Sequence, residues 1–183
     1  DERGRVISKR KDRRGLAALK RKKYRDVAIV HAPGIGNGDD VGVAIQRAIV
    51  RHCEDNRLRF AVLDAAPGLS ALSDQRLDPR SVIDSSYAAF YYPWYYTRHP
   101  RTGAKILVPP GGAVCGIYAA TDRSRGVWKA PADVVVKGAL ELEADVNSPM
   151  QEVLNPRGVN CIRRFAGRGI RVWGARTLSS EPE

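Results

Sequence analysis

Asp26-Val27-Ala28-Ile29-Val30-His31-Ala32-Pro33-Gly34-Ile35-Gly36-Asn37-Gly38-Asp39-Asp40 is an apolar run that stops in a glycine-rich turn and two acids. Val27 to Val30 are continuous and apolar, the pattern of a strand buried on both faces of a parallel sheet. Asp39 or Asp40 is placed to accept orphan backbone N–H groups at the start of a helix. Val41, Ala44, Ile45, Ala48 and Ile49 then recur at helical spacing, so that face is expected to pack inward, with Arg47 and Arg51 outside. Asn56 closes the helix. Residues 58–65 form a second apolar strand, stopped by Pro67-Gly68.

The pattern continues along the chain. Residues 70–83 read as a polar connector with a helical turn or two and a break at Asp78-Pro79. Residues 87–92 are a third strand, and residues 98–105 an exposed loop. Residues 106–108 are extended and end at Pro109-Pro110. Residues 111–123 are a helix, in which Gly112 and Gly116 each cost about 1 kcal/mol relative to alanine. The offsetting gain is expected from close approach to the sheet or to another subunit. Short extended pieces at 134–136 and 139–142 precede a helical turn at 148–154. Residues 159–165 and 170–178 flank Ala166-Gly167-Arg168-Gly169 and read as a hairpin. The fold class expected is α/β: a layered domain with a mixed, mostly parallel central sheet, flanking helices and a late β-hairpin.

The 183 residues carry a net charge of +11. Much of it lies between Arg3 and Arg25, where Asp12 is the sole acid. Residues 1–25 are therefore expected to be a basic arm or short helix, with Leu16 and Leu19 as a small apolar edge, and residues 26–183 the core domain. Such an arm suits an acidic partner: a solvated segment, an assembly arm and a nucleic-acid-binding arm are the three readings. Cys53, Cys115 and Cys161 are odd in number and far apart, which argues for reduced thiols in a cytoplasmic setting and against a disulfide framework. None forms a Cys-x-x-Cys pair for zinc. No apolar run of about 18 residues offers a membrane span.

Four places invite a chemical reading. The Gly34-Ile35-Gly36-Asn37-Gly38 loop stands where phosphate loops stand, but it matches neither the P-loop nor the dinucleotide fingerprint, and two acids follow it. A tight strand–helix turn is the better reading. His31 and Asp64 end neighbouring strands, so an acid–base pair is geometrically conceivable. His52 reads as a helix-end residue and His99 as loop. The aromatic stretch Phe90-Tyr91-Tyr92-Pro93-Trp94-Tyr95-Tyr96 is either core packing with hydroxyls bonded to backbone or a base-stacking platform for single-stranded nucleic acid. Arg157, Arg163, Arg164, Arg168, Arg171 and Arg176 on the hairpin form a solvated basic face, or pair with Glu141, Glu143 and Asp145 of a neighbour.

The aromatic stretch is followed by Pro109-Pro110-Gly111-Gly112-Ala113-Val114-Cys115-Gly116-Ile117-Tyr118-Ala119, by Gly126-Val127-Trp128-Lys129-Ala130-Pro131, by Leu154-Asn155-Pro156, and by residues 169–178. These blocks, in this order, resemble the core of the contractile tail sheath proteins of phages and phage-tail-like injection systems, over roughly residues 26–183. The resemblance implies a structural subunit rather than an enzyme, with no catalytic, cofactor-binding or metal residues and no cofactor. It implies a helical homo-oligomer around an inner tube protein, with baseplate and terminator proteins as further partners. Neither nucleic acid nor membrane insertion is implied. Assembly is expected in the bacterial cytoplasm, and the product is a virion tail or a released or anchored contractile particle. The resemblance implies a subtilisin-like core, for which hydrolysis would require a nucleophilic serine in a strained turn; Ser70, Ser81, Ser85 and Ser86 lie in polar connectors instead. The family continues past Ser179-Ser180-Glu181-Pro182-Glu183 into a C-terminal domain, which is expected to fall outside these residues. The alternative class is a basic nucleic-acid-binding module using Arg3 to Arg25.

Overall fold

The computed structural model describes residues 14–71 and 73–181. Residues 1–13 of the basic arm, Leu72 of the polar connector, and Pro182-Glu183 lie outside the described residues. Within them, a six-stranded sheet has the order β1-β2-β3-β8-β9-β6, and a three-stranded sheet the order β5-β4-β7. Strands β1 (Ile29–Val30), β2 (Phe60–Asp64), β3 (Ala88–Tyr92) and β8 (Val159–Phe165) run parallel. Strand β9 (Gly169–Val172) turns back from β8 as the expected hairpin, and β6 (Val134–Val135) pairs antiparallel with it. The smaller sheet comprises β4 (Tyr95–Arg98), β5 (Lys105–Val108) and β7 (Glu141–Leu142).

The continuous apolar runs are explained by two cores, one on each face of the parallel strands. Ala61, Leu63, Ala88, Phe90 and Tyr92 face one side, where helix α1 (Asp40–Asn56) contributes Ile49, Val50 and Cys53. Val62, Ala89 and Tyr91 face the other, where helix α2 (Gly111–Arg125) contributes Val114 and Ile117. Side chains alternate across a strand, so neighbouring residues feed opposite cores. A third, short helix, α3 (Ser148–Leu154), is capped by Asn147 and buries Leu154 in the first core.

Helix α1 departs from the expected orientation. Gly42, Gln46, Ile49, Val50 and Cys53 are buried, whereas Val41, Ala44 and Ala48 are exposed. The inward face is set by hydrogen bonds rather than by the apolar stripe. Gln46 Nε2 donates to Ile35 O at 3.1 Å and to Asp64 O at 2.8 Å, tying the helix to the turn after β1 and to the end of β2. Asp39 is the cap, accepting from Gly42 N at 2.7 Å. The helix ends at Asn56, followed by Arg57 in the left-handed region.

The strands β1 and β2 are shorter than the apolar runs that contain them, since only Ile29–Val30 and Phe60–Asp64 lie in the ladder. Beyond Val172 the chain is irregular, so the second hairpin arm is also shorter than expected. Asn160, fully buried, holds that segment instead: its Oδ1 accepts from Arg176 N at 2.7 Å and its Nδ2 donates to Arg176 O at 2.8 Å. The basic stretch after residue 14 forms 3-10 turns at Gly15–Lys20 and Lys22–Tyr24, with Leu16 and Leu19 packed against the first core. Arg59 secures these turns by donating to Leu19 O and Tyr24 O. No helix of the described residues is long and apolar enough to cross a membrane.

Candidate functional site: a buried His31–Asp64 pair at the carboxyl edge of the sheet

Asp64 is the last residue of β2 and His31 follows β1, so parallel pairing brings them side by side. His31 Nε2 lies 3.5 Å from Asp64 Oδ2. His31 Nδ1 is 3.0 Å from Val62 O, which fixes a proton on Nδ1 because a carbonyl can only accept. Asp64 Oδ1 accepts from Gly111 N at 2.7 Å, at the start of α2. A Cβ on Gly111 would fall on the His31 ring and 2.8 Å from Asp64 Oδ1, so only glycine lets the helix close over the pair. Burial pushes the Asp64 carboxyl up to about 7, and the Gly111 N–H works against that rise. Its charge in turn raises the Tyr95 hydroxyl and the Cys115 thiol, although burial is the larger cause for both.

The pair has the positions of an acid–base couple. No serine hydroxyl is among the partners of His31 or Asp64 in the described residues. Ser81 Oγ donates to Asp78 O and Ser85 Oγ accepts from Tyr87 N, both in local turns. Among the described residues no group of three or more His, Cys, Asp or Glu is placed to hold a metal ion. Gly111 also covers the pair, so the arrangement fastens α2 to the sheet.

The other sequence candidates fall into structural roles. The glycine loop is a tight turn: a Cβ on Gly36 would lie 2.6 Å from Ala66 Cα. Asn37 cements it, accepting from Ala66 N at 3.0 Å and donating to Arg76 O. The Asp39 carboxylate already occupies the helix start, where it accepts from Gly42 N and would repel a phosphate. His52 is not a cap; it is buried in the last turn of α1, and burial, with Arg59 and Lys20 nearby, lowers its pKa. His99 Nδ1 is 3.3 Å from both Arg101 N and Thr102 N and organises the loop between β4 and β5.

The aromatic stretch is core, and the stacking-platform reading is corrected. Phe90, Tyr91 and Tyr92 are at most 1% exposed, so no base can reach their faces. Tyr92 donates to Leu69 O at 2.8 Å, Trp94 Nε1 to Ala65 O at 2.7 Å, and Tyr91 shares a 3.0 Å hydrogen bond with Tyr118. The close approach expected of Gly112 and Gly116 within the chain is also corrected: a Cβ at either meets nothing within 4 Å. Gly111, not singled out in the sequence, makes that approach, and its one visible signal was its place between Pro110 and the helix.

Several hairpin arginines are used inside the chain. Arg168 and Arg171 both bond Asp133, and Arg163 donates to Val146 O, Gln151 Oε1 and Ser148 Oγ. Arg164 donates to Leu140 O. Glu141 pairs with Lys105, and Glu143 accepts from Gly68 N. These acids therefore already have partners within the same copy.

Comparison with known proteins bears on the whole fold. The model of the phage tail sheath protein central domain matches residues 11–178. A tail sheath protein of Vibrio phage KVP40 is 29% identical over 117 residues, covering 62% of this chain and 17% of the phage protein. Among solved structures, the PVC sheath complex of an extracellular contractile injection system, in the contracted state, is 35% identical with a TM-score of 0.69. The match covers 86% of this chain and 41% of that one. The helical sheath of the anti-feeding prophage, contracted, is 30% identical with a TM-score of 0.68, covering 97% and 46%. The chain thus spans less than half the length of each of these relatives.

Proposed function

The chain belongs to the phage tail sheath protein central-domain family, and from that premise we propose that it is a structural, non-enzymatic subunit of a contractile sheath, in a phage tail or an extracellular contractile injection system. The single observation that carries the reading is the extent of the family match, residues 11–178, which takes in both sheets and all three helices. The buried chemistry agrees with it. His31 and Asp64 are enclosed under Gly111, and the aromatic stretch is packed inside, so what this domain offers to other molecules is its surface.

In this reading identical copies wind helically around an inner tube, and contraction re-packs them as rigid bodies. Contacts that do not close on themselves give an open filament, which a sleeve requires. The basic stretch of residues 1–25 serves assembly, its turns at Gly15–Lys20 and Lys22–Tyr24 held on the core that residues 26–183 form. Inner tube, baseplate and terminator proteins are the other partners, and the particle is assembled in the bacterial cytoplasm. Negative-stain microscopy of the full-length polypeptide carrying this region, expressed with its tube protein, is expected to show tubes of two lengths, extended and contracted. Persistent monomers under all conditions would refute the reading.

A further inference from the structure

Val127 and Trp128 are 80% and 84% exposed, the two most exposed large apolar side chains among the described residues. They are not loose. Lys129 N bonds Gly126 O at 3.1 Å to close a turn, and Gly126 lies at φ +97° with the Trp128 ring folded against it, where a Cβ would clash. An indole fixed on a protruding turn is an apolar peg whose ordering cost is already met.

We infer that this peg docks into a second copy of the same chain, in the cavity beside the glycine turn, so that successive copies join head to tail. The cavity, lined by Gly34, Ile35, Gly38, Val41, Ile45 and Pro67 among others, measures about 250 Å³. That is below the roughly 300–1,000 Å³ of small-molecule sites and suits a single large side chain.

Placement and charge select this pairing. Gly111 N meets Asp64 at the carboxyl end of β2, and the Tyr118 ring stacks on Phe60 at its amino end, 5.7 Å between centroids. Helix α2 therefore runs back along the strand, and its 15 residues span about 22 Å. The peg follows α2 at the amino edge of the sheet, while the cavity stands at the carboxyl edge. The two cannot meet within one copy, and joining them between copies makes a heterologous contact that propagates. Arg123, Arg125 and Lys129 are exposed around the peg, against one exposed acid, Asp122. Asp39 and Asp40 are exposed at the cavity, with Glu143 bonded to Gly68 beside it; Arg76, the nearby cation, is paired with Asp74. A larger groove of about 770 Å³ beside α1 carries Glu54, Asp55 and Asp84 as well as Lys20, Arg47 and Arg51, so it offers the basic peg no net negative charge.

The inference rests on the sheath reading, and its test separates the two. In the full-length protein with Cys115→Ala, a Val127→Cys population, which keeps the Trp128 ring, is mixed with a Val41→Cys population and oxidised at high concentration. Dimers are expected from the mixture, none from either alone, and a ladder from the double variant. Trp128→Ala is expected to lower sheath yield at least tenfold, and Lys129→Asp likewise, with recovery on adding Asp40→Lys. Wild-type tubes accompanied by no cross-links and no loss in Trp128→Ala would overturn the peg and leave the sheath reading standing. An indole already shielded from acrylamide in the monomer would assign its cover to the same polypeptide and overturn it too. Cross-links are read in solution, so failure of the wild type to form tubes bears on the sheath reading alone.

Discussion

His31 Nε2 and Asp64 Oδ2 face each other at 3.5 Å, both buried, and neither atom has another hydrogen-bond partner. Since His31 Nδ1 donates to Val62 O, one further proton between Nε2 and Oδ2 satisfies both atoms and leaves the pair neutral overall. Removing that proton strands a carboxylate in the core, and the folded protein resists its loss.

The pH dependence follows in sign. Asp64 has a folded pKa raised from 3.8 to about 7 by burial. Its contribution to stability is full below the unfolded value and is lost as pH rises through about 7, a fall of roughly 4 kcal/mol at most. Asp64→Asn keeps an acceptor for Gly111 N and a donor for His31 Nε2. It is expected to flatten the slope of unfolding free energy against pH between about 4 and 7, measured by urea titration, and to leave the variant the more stable above pH 8. An unchanged slope would mean that Asp64 is not the titrating group.

Adjacent glycines at the start of α2 are expected to respond with opposite signs. Gly111→Ala drives a methyl into His31 and Asp64 and should cost about 1–3 kcal/mol. Gly112→Ala meets open space on a helix and should gain up to about 1 kcal/mol. Thermal or urea unfolding of the two variants side by side decides it.

Much of this architecture was legible in the residues. Val27 to Val30 and the 58–65 run announced strands covered on both faces, and the glycines at 167 and 169 announced the hairpin, because period and turn chemistry are local. The orientation of α1 was not legible. Val41, Ala44 and Ala48 look like a core stripe, but Gln46 faces inward instead, bonded to the turn after β1 and to the end of β2, and they lie outward. His31 and Asp64 could be paired on paper, since both end strands. Their cover could not, because Gly111 arrives 47 residues after Asp64 and its role depends on where a helix lands. Likewise Asn160 gave no sign that its amide would replace a strand ladder at Arg176.

Tyr92 distinguishes core from platform. Tyr92→Phe leaves Leu69 O without its buried donor and should lower stability by about 1–3 kcal/mol. Binding of a single-stranded oligonucleotide, followed by fluorescence anisotropy, should be the same in the variant as in the parent. A weakened affinity with unchanged stability would restore the stacking reading.

Asn160 is expected to hold the segment after β9 as a unit. Its amide makes both bonds to Arg176, Arg80 Nη2 donates to Thr177 O, and Leu178 N donates to Ala88 O. The last of these bonds the segment to β3 of the central sheet, and Leu178 is fully buried in the first core. Asn160→Ala removes two hydrogen bonds from a buried position and should cost about 1–3 kcal/mol. The loss should be local first, because Leu178 and Arg80 still hold the far end. Amide exchange is expected to speed up at residues 173–177 while β3 and β8 keep their protection. Uniformly faster exchange across the sheet would show instead that Asn160 supports the whole core and not this segment.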